Sequence, residues 1–131
     1  MSAVAKVSRL AELKPVSFGP LAEYRKLMGD DGWPVFTGVQ TCRPGYRTPL
    51  HSHPYVEYLF IIEGTAEAWL AGDEDRPARL ESGDMIALPA GAPHVFRNAG
   101  TGELRLLGIH CSPTRLVTLL EDGPGASPET N

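Results

Sequence analysis

Short apolar runs separated by Gly, Pro, Asn and Asp dominate the chain from residue 35 onward. The run at residues 57–63 is almost continuously apolar, which is typical of a strand in the middle of a sheet. The other runs that predict strands lie at residues 35–42, 50–53, 65–70, 78–80, 85–88, 94–96, 104–110 and 115–120. Many short strands without helices between them predict an all-β fold, either a sandwich or a barrel.

The segment before these strands has a different pattern. Within residues 1–34, Pro20 and Gly29 enclose apolar side chains at helical spacing, which predicts one short helix over residues 20–28. The side chains at that spacing are Leu21, Tyr24, Leu27 and Met28. Because so short a helix is unstable alone in water, we expect this lead-in to pack on a barrel formed by residues 35–120.

The composition fits one β-rich domain. A chain of 131 residues has the size of a single domain with one core, and its 14 Gly and 12 Pro are spread along it as turn residues. Residues 121–131 contain Gly, Pro, Ser and Thr and no apolar residue larger than Ala126, which predicts a loose C-terminal tail.

Charge and hydropathy argue against several classes of partner. The net charge is −4 and the basic residues are scattered rather than gathered in a stripe, so we expect no nucleic acid partner. No run of 18 apolar residues is present, so we expect no membrane partner. The first ten residues lack the unbroken apolar stretch of a signal peptide, and we therefore expect a cytoplasmic protein.

The two cysteines give a weaker indication. Cys42 and Cys111 are far apart in the sequence, and neither belongs to a CxxC pair. A disulfide, a zinc site and free thiols all stay open on this pattern. In a cytoplasmic protein we expect a reduced pair.

Three of the four histidines fall in two spaced motifs. The first, G-x5-H-x-H-x3-E-x6-G, is formed by Gly45, His51, His53, Glu57 and Gly64. The second, G-x5-P-x-G-x2-H-x3-N, is formed by Gly83, Pro89, Gly91, His94 and Asn98. Turn formation explains the Gly, Pro and Asn positions, whereas the histidines and the glutamate are potential metal ligands.

Strand geometry predicts that these ligands converge. His51 and His53 are two residues apart, so on a strand they project from the same face at about 7 Å spacing. Glu57 follows the break at Pro54, where the chain can turn back, and His94 comes from a later strand. Ligands from separate strands meet only if the sheet curls, as it does in a barrel.

Three imidazoles and one carboxylate suit a divalent transition metal rather than Ca(II) or Mg(II). We expect Fe(II) first, with Mn(II), Ni(II), Zn(II) and Co(II) as alternatives. Four protein ligands of an octahedron leave two positions for water, substrate or dioxygen. Because a closed zinc site more often includes thiolates, the pattern indicates a catalytic rather than a structural metal.

The two motifs are similar, at every defining position, to motifs 1 and 2 of the cupins, with 18 residues between them as in small single-domain bacterial cupins. The resemblance runs from Gly45 to Asn98. It implies a jelly-roll β-barrel, a divalent metal held by His51, His53, Glu57 and His94, and a homodimer. Cupins include dioxygenases, decarboxylases, isomerases, lyases, cyclases, sugar-binding modules and storage proteins, so the fold does not select the reaction.

Further assignments depend on which face of its strand each residue occupies. His110 lies inward if the alternation of residues 104–110 holds, and it is then a candidate acid or base, with Tyr55 as an auxiliary and Glu57 as a ligand able to take a proton. The alternative is a strand-end histidine at the surface or in a dimer contact. Gln40, Cys42 and Phe96 are candidates for contacting the substrate, and the alternative for the first two is ordinary lining of the barrel.

From these observations we expect a metal-dependent enzyme acting on a small, oxygen-bearing organic molecule, with dioxygenase-type chemistry favoured. A redox-neutral lyase or isomerase is the first alternative. The second is a non-catalytic module that binds a small molecule or a sugar.

Overall fold

The computed structural model describes residues 3–121, and this part of the chain is built from eleven β-strands and one 3-10 turn at Leu10–Glu12. The strands, in chain order, are β1 Val16–Ser17, β2 Ala22–Met28, β3 Phe36–Cys42, β4 His51–Ser52, β5 Glu57–Glu63, β6 Ala66–Leu70, β7 Ala78–Leu80, β8 Met85–Leu88, β9 His94–Asn98, β10 Leu104–His110 and β11 Thr118–Leu119. A strand occurs in each of the nine segments predicted from residue 35 onward, although β4 and β11 are shorter than expected. No helix in the described residues has the length and apolar character needed to cross a membrane.

Two antiparallel sheets face each other across a shared interior. The order in the six-stranded sheet is β1-β2-β3-β10-β5-β8, and in the five-stranded sheet it is β11-β4-β9-β6-β7. Along β10 every second side chain is buried, from Leu104 to His110, which is the alternation expected of a sheet with one covered face. The predicted all-β jelly-roll architecture is confirmed.

The predicted helix over residues 20–28 is wrong. This segment is strand β2, paired with β3 in a register that places Tyr24 opposite Gln40. Ala22 and Tyr24 are buried while the residues between and after them are partly exposed, so the period is two. The segment forms a strand because its backbone pairs with that of β3, whose N–H and C=O groups a helix would leave unpaired. The helical spacing of its apolar residues is therefore coincidental. The lead-in therefore contributes a strand to the larger sheet.

The predicted C-terminal tail can be described only at its first residue. Glu121 accepts hydrogen bonds from the Arg47 guanidinium, at 2.5 Å, and from the backbone N–H of Leu50, at 2.8 Å. Residues 122–131 lie outside the described part of the chain.

Two residues of the motifs, Gly64 and Asn98, stabilise the chain at strand ends, as expected of turn residues. Gly64, between β5 and β6, has a φ of +92°, and a Cβ there would lie 2.5 Å from the carbonyl oxygen of Glu103. The Asn98 side chain donates to the carbonyls of Cys42 and Gly102 and accepts from the N–H of Gly100. These contacts hold the end of β9 against the end of β3.

One row of inward side chains in the larger sheet contains residues of the candidate site. Across four adjacent strands of the larger sheet, the register aligns Leu88, Glu57, His110 and Phe36. Opposite this row, His51 of β4 pairs with His94 of β9 in the smaller sheet. The polar residues of both sheets therefore meet at one end of the barrel interior.

Candidate metal centre

The four predicted ligands form one cluster inside the barrel. One donor atom from each of His51, His53, Glu57 and His94 lies within 4.8 Å of all the others. All four residues are at most 2% exposed to solvent. The convergence predicted from strand alternation and the Pro54 break is therefore confirmed.

Each imidazole of the cluster is oriented by a backbone carbonyl. The Nδ1 atom of His51 contacts the Pro49 carbonyl at 2.8 Å, that of His94 the Ala92 carbonyl at 2.9 Å, and that of His53 the Leu116 carbonyl at 2.6 Å. A carbonyl can only accept, so each Nδ1 carries the proton and each Nε2 presents a lone pair. This outer hydrogen bond is the usual device that orients a metal-binding histidine.

The three Nε2 atoms are buried and have no hydrogen-bond partner in the part of the chain that the structure describes. Buried polar nitrogens are rarely left unsatisfied, because each loses its water without a replacement. The three Nε2 atoms lie close together, as they would around a bound cation. Three imidazole nitrogens and a carboxylate oxygen are donors that could hold a divalent transition metal.

The charge states of the cluster also suit a cation. Burial and the neighbouring His94 lower the pKa of His51 to about 3, so this ring is neutral at pH 7 and free to donate its lone pair. Burial alone would raise the pKa of Glu57, but the positive charge of His110 opposes it, and that pKa is held well below its usual range. Glu57 is therefore the anionic member of the set.

The two carboxylate oxygens of Glu57 have different partners. Oε1 lies 3.3 Å from Nε2 of His53 and 3.3 Å from Nε2 of His94, on the side of the cluster. Oε2 lies 3.1 Å from Nε2 of His110. One oxygen is thus directed at the centre and the other at the fourth histidine.

His110 lies inside the barrel, so its placement at the surface or in a dimer contact is wrong. It is fully buried, and its Nδ1 lies 2.9 Å from the hydroxyl oxygen of Tyr55. The backbone N–H of Leu116 donates to the same hydroxyl at 3.1 Å. The structure therefore brings Tyr55, His110 and Glu57 into one chain of contacts that ends at the cluster.

The three predicted substrate-contacting residues are all buried, but they lie at different depths. Gln40 and Phe96 share inward faces with the site, and Phe96 packs on Tyr46 with ring centroids 6.1 Å apart. Cys42 pairs with Leu104 at the far end of β3, six residues or about 20 Å along the strand from the row of His110. Burial raises the pKa of the Cys42 thiol to about 12, so it is a neutral lining group.

Sequence reasoning missed three contributors to the site. Tyr24 was assigned to the wrong element, and its side chain enters the barrel from β2. Leu116 acts through its carbonyl, which every residue type possesses, so no sequence signal could identify it. Arg115 precedes it and lines a cavity together with Tyr24 and Phe36.

The comparison with protein families agrees with the motifs. The family model described as "Cupin domain" matches residues 38–110. Protein SchB of Streptomyces halstedii is 38% identical over 79 residues, which cover 60% of this chain and 54% of SchB. The 5-nitrosalicylic acid 1,2-dioxygenase of a Bradyrhizobium species is 30% identical over 76 residues, covering 58% of this chain and 35% of that enzyme. The chain thus spans about half the length of SchB and less of the dioxygenase.

Solved structures show the same architecture. The polyketide cyclase RemF from Streptomyces resistomycificus superposes with a TM-score of 0.73 at 21% identity, covering 92% of this chain and 88% of RemF. At that identity the similarity concerns the fold. It extends over nearly the whole described barrel.

Proposed function

This chain belongs to the cupin family, and from that premise we propose that it is a metal-dependent enzyme with dioxygenase-type chemistry on a small, oxygen-bearing organic substrate. We further propose Fe(II) as the native ion, held by His51, His53, Glu57 and His94. The similarity to a dioxygenase from Bradyrhizobium over the barrel region supports the choice of reaction.

A single observation carries the proposal. Three buried imidazoles are each fixed through Nδ1 by a carbonyl, and their Nε2 atoms converge beside Oε1 of an ionised glutamate. A metal-free barrel would leave each of these nitrogens unsatisfied, at about 1–3 kcal/mol apiece. Apolar side chains would fill the same space without that cost, so the arrangement is best explained by a cation.

The residues around the ligands suit an open catalytic site. A bound divalent ion would supply Lewis acidity and, for Fe(II), electron transfer to dioxygen. The chain contributes four ligands, and His110 keeps Oε2 of Glu57 away from the centre, so coordination positions are left for small molecules. Apolar neighbours such as Leu59 and Phe96, both at most 2% exposed, keep bulk water out.

A redox-neutral reaction is the second candidate, and the contact between Tyr55 and His110 favours it. The pair offers a hydroxyl and an imidazole at 2.9 Å that can hold or accept a proton next to the ligand shell. Lyases and isomerases need such a group more than dioxygenases do. The fold similarity to a polyketide cyclase is compatible with this alternative.

The test is to load the metal-free protein separately with Fe(II), Mn(II), Ni(II), Zn(II) or Co(II) and to offer each form diketones, catechols and hydroxy acids. Oxygen consumption restricted to the Fe(II) form supports the dioxygenase. Turnover without oxygen consumption, with several ions, supports the redox-neutral enzyme. Absence of turnover with every ion, together with reversible ligand binding, would identify a non-catalytic binding module instead.

We also propose that the protein is a homodimer joined through the outer face of the larger sheet. One outward row across β8, β5, β10 and β3 consists of Met85, Phe60, Leu107 and Val39, of which Val39 is only 5% exposed and adds little to the surface. Met85 is 51% exposed, and Ile62 beside this row is 37% exposed. A contiguous apolar surface on a sheet is costly in water and is best covered by the same surface of a second copy.

A further inference from the structure

The three histidines of the candidate metal centre receive their orienting contacts from different distances along the chain. The carbonyls that contact His51 and His94 each lie two residues before the histidine itself. The carbonyl that contacts Nδ1 of His53 belongs to Leu116, which lies 63 residues later. Two of the candidate ligands are therefore oriented by their own stretch of chain, whereas His53 depends on the C-terminal segment.

One hydroxyl group fixes the position of Leu116. The backbone N–H of Leu116 donates to the Tyr55 hydroxyl at 3.1 Å, and the carbonyl oxygen of Leu116 lies 3.2 Å from the same hydroxyl. The Tyr55 ring is stacked on the His53 ring, at 12° with centroids 5.2 Å apart. Tyr55 therefore contacts both the imidazole and the backbone group that orients it.

The C-terminal segment over residues 112–121, which we call the strap, is tied to the barrel near both of its ends. Near its start, the Thr114 hydroxyl donates to Asp30 at 2.7 Å. Near its end, β11 pairs with β4, and Glu121 accepts from the backbone N–H of Leu50 at 2.8 Å. The strap thus runs beside the part of the chain that carries the first two candidate ligands.

Polar contacts, rather than apolar packing, hold the strap. None of residues 111–121, all of which the structure describes, is buried. Leu116 and Leu120 are each 50% exposed. A segment with exposed hydrogen bonds and little buried apolar surface opens at a small fraction of the free energy of global unfolding. Opening of the strap would remove the carbonyl from His53 while leaving strands β1 to β10 paired.

The orientation of His53 links the strap to the metal. The carbonyl of Leu116 keeps the proton on Nδ1, so the lone pair is on Nε2, which lies 3.3 Å from Oε1 of Glu57. Loss of such an outer contact typically lowers metal affinity about 10–100-fold. Because coupling between two equilibria is reciprocal, a metal that binds more tightly when the strap is closed must favour closure by the same factor.

We propose that the strap is a positioning element for His53: its closure completes the metal centre, and metal binding in turn holds the strap closed. Tyr55 and Leu116 act through the His53 ring, so they are positioning residues and not ligands. This inference rests on the metal site of the proposed function, but not on the choice of reaction. It gives a role to a segment that lies outside both cupin motifs.

The experiment measures trypsin cleavage of the full chain after Arg115, with and without Co(II), by mass spectrometry. Arg115 lies within the strap, so the bond after it is cut when the strap opens. Arg105 lies within β10 and reports unfolding of the barrel, whereas Arg9 is exposed in the N-terminal segment and reports trypsin activity. In metal-free protein we expect faster cleavage after Arg115 than after Arg105. Co(II) should slow cleavage after Arg115 about 10–100-fold and leave cleavage after Arg9 unchanged.

A variant that loosens the strap away from the candidate ligands gives a second measurement. Thr114→Val removes the hydroxyl that bonds Asp30 and should speed cleavage after Arg115 about three- to tenfold in metal-free protein, while Co(II) should still protect that bond. The matched control is Thr65→Val, which removes a hydroxyl bonded to Glu81 at 2.8 Å. Because Thr65 lies outside the strap, its variant should be cut after Arg115 at the wild-type rate.

A second pair of variants tests the positioning of His53. Tyr55→Phe keeps the ring but removes the hydroxyl that bonds Leu116, so it should speed cleavage of the strap and alter the absorption spectrum of bound Co(II). Tyr58→Phe removes a hydroxyl from the outward face of β5 and should change neither. An unchanged cleavage rate and an unchanged spectrum in Tyr55→Phe would overturn the role of this hydroxyl.

Two results would overturn the strap itself. One is cleavage after Arg115 at the same rate as after Arg105, which would mean that the segment opens only with the whole barrel. The other is an unchanged rate after Arg115 although the absorption spectrum shows bound Co(II), in which case the metal site stands without the coupling. If no Co(II) binds, the proposed metal site fails and the coupling fails with it.

Discussion

Nε2 of His110 lies 3.1 Å from Oε2 of Glu57, and Nδ1 of the same ring lies 2.9 Å from the hydroxyl oxygen of Tyr55. Oε2 of Glu57 thus faces His110, while Oε1 faces Nε2 of His53 and Nε2 of His94. His110 belongs to neither cupin motif, yet it is the residue that fixes how the only carboxylate of the cluster is presented. We regard it as a positioning residue for the candidate metal centre.

Replacing His110 should weaken metal binding without removing a ligand. His110→Phe keeps a ring in the space but leaves Oε2 of Glu57 buried and unpaired, and loss of such an outer contact typically costs about 10–100-fold in metal affinity. His110→Gln retains an amide donor and should recover part of the loss. Titration calorimetry with Co(II), with the cobalt absorption spectrum as a record of ligand geometry, measures the effect. Wild-type affinity in the Phe variant would show that Glu57 does not need this contact.

His53→Ala should lose most of the bound metal while the barrel stays folded. The variant removes one of four ligands, and the core strands, not the ion, supply most of the buried apolar surface. Metal content by plasma mass spectrometry and far-UV circular dichroism provide the two readouts. Full metal occupancy with a native spectrum would mean that the ligand assignment is incorrect.

Chelation should lower the thermal stability of the loaded protein. An ion that binds only the folded state, at a concentration one hundred times its dissociation constant, stabilises that state by about 2.7 kcal/mol. Treatment with EDTA should remove this contribution, and adding back the ion should restore it. The matched control is His53→Ala, whose melting temperature should respond little to either treatment. A chelator effect of equal size in that variant would point to an ion bound elsewhere.

Gly64→Ala and Gly72→Ala distinguish the destabilisation caused by backbone strain from that caused by a steric clash of the added Cβ. Both glycines have a φ of +92°, which is unfavourable for alanine by about 1–2 kcal/mol. At Gly72 nothing lies within 4 Å of the added Cβ, but at Gly64 it meets the Glu103 carbonyl oxygen at 2.5 Å. Urea unfolding should therefore show a loss of roughly 2–5 kcal/mol for Gly64→Ala and only about 1–2 kcal/mol for Gly72→Ala. Equal losses would refute the close approach.

Leu107→Glu should convert the proposed homodimer to a monomer. The change puts a charge in the middle of the outward apolar row, where two copies would have to desolvate it. The control is Glu67→Gln on the smaller sheet, away from this surface. Light scattering after gel filtration gives the mass in solution. A Leu107→Glu protein that is still dimeric would place the interface on another surface.

The sequence determined the strands and the ligand cluster to the extent that both depend on local rules. Alternation of side chains along residues 57–63 and 104–110, and the glycines that end the strands, sufficed for the all-β assignment. The spacing of His51 and His53 fixed their common face for the same reason. The prediction of a helix over residues 20–28 was wrong because the apolar residues of that segment fit both the helical and the strand period. Only the pairing of the segment with the edge of β3 decides in favour of the strand.

Tertiary structure alone decided what surrounds the candidate metal ligands. Whether His110 contacts Glu57 depends on the β5–β10 register, and which carbonyl orients His53 depends on a segment 63 residues away. The cavity beside Tyr24 combines side chains of β1, β2 and β3 with Arg115, which follows β10. Such relationships are set by pairing and packing over long sequence distances, and a side chain's identity does not carry that information.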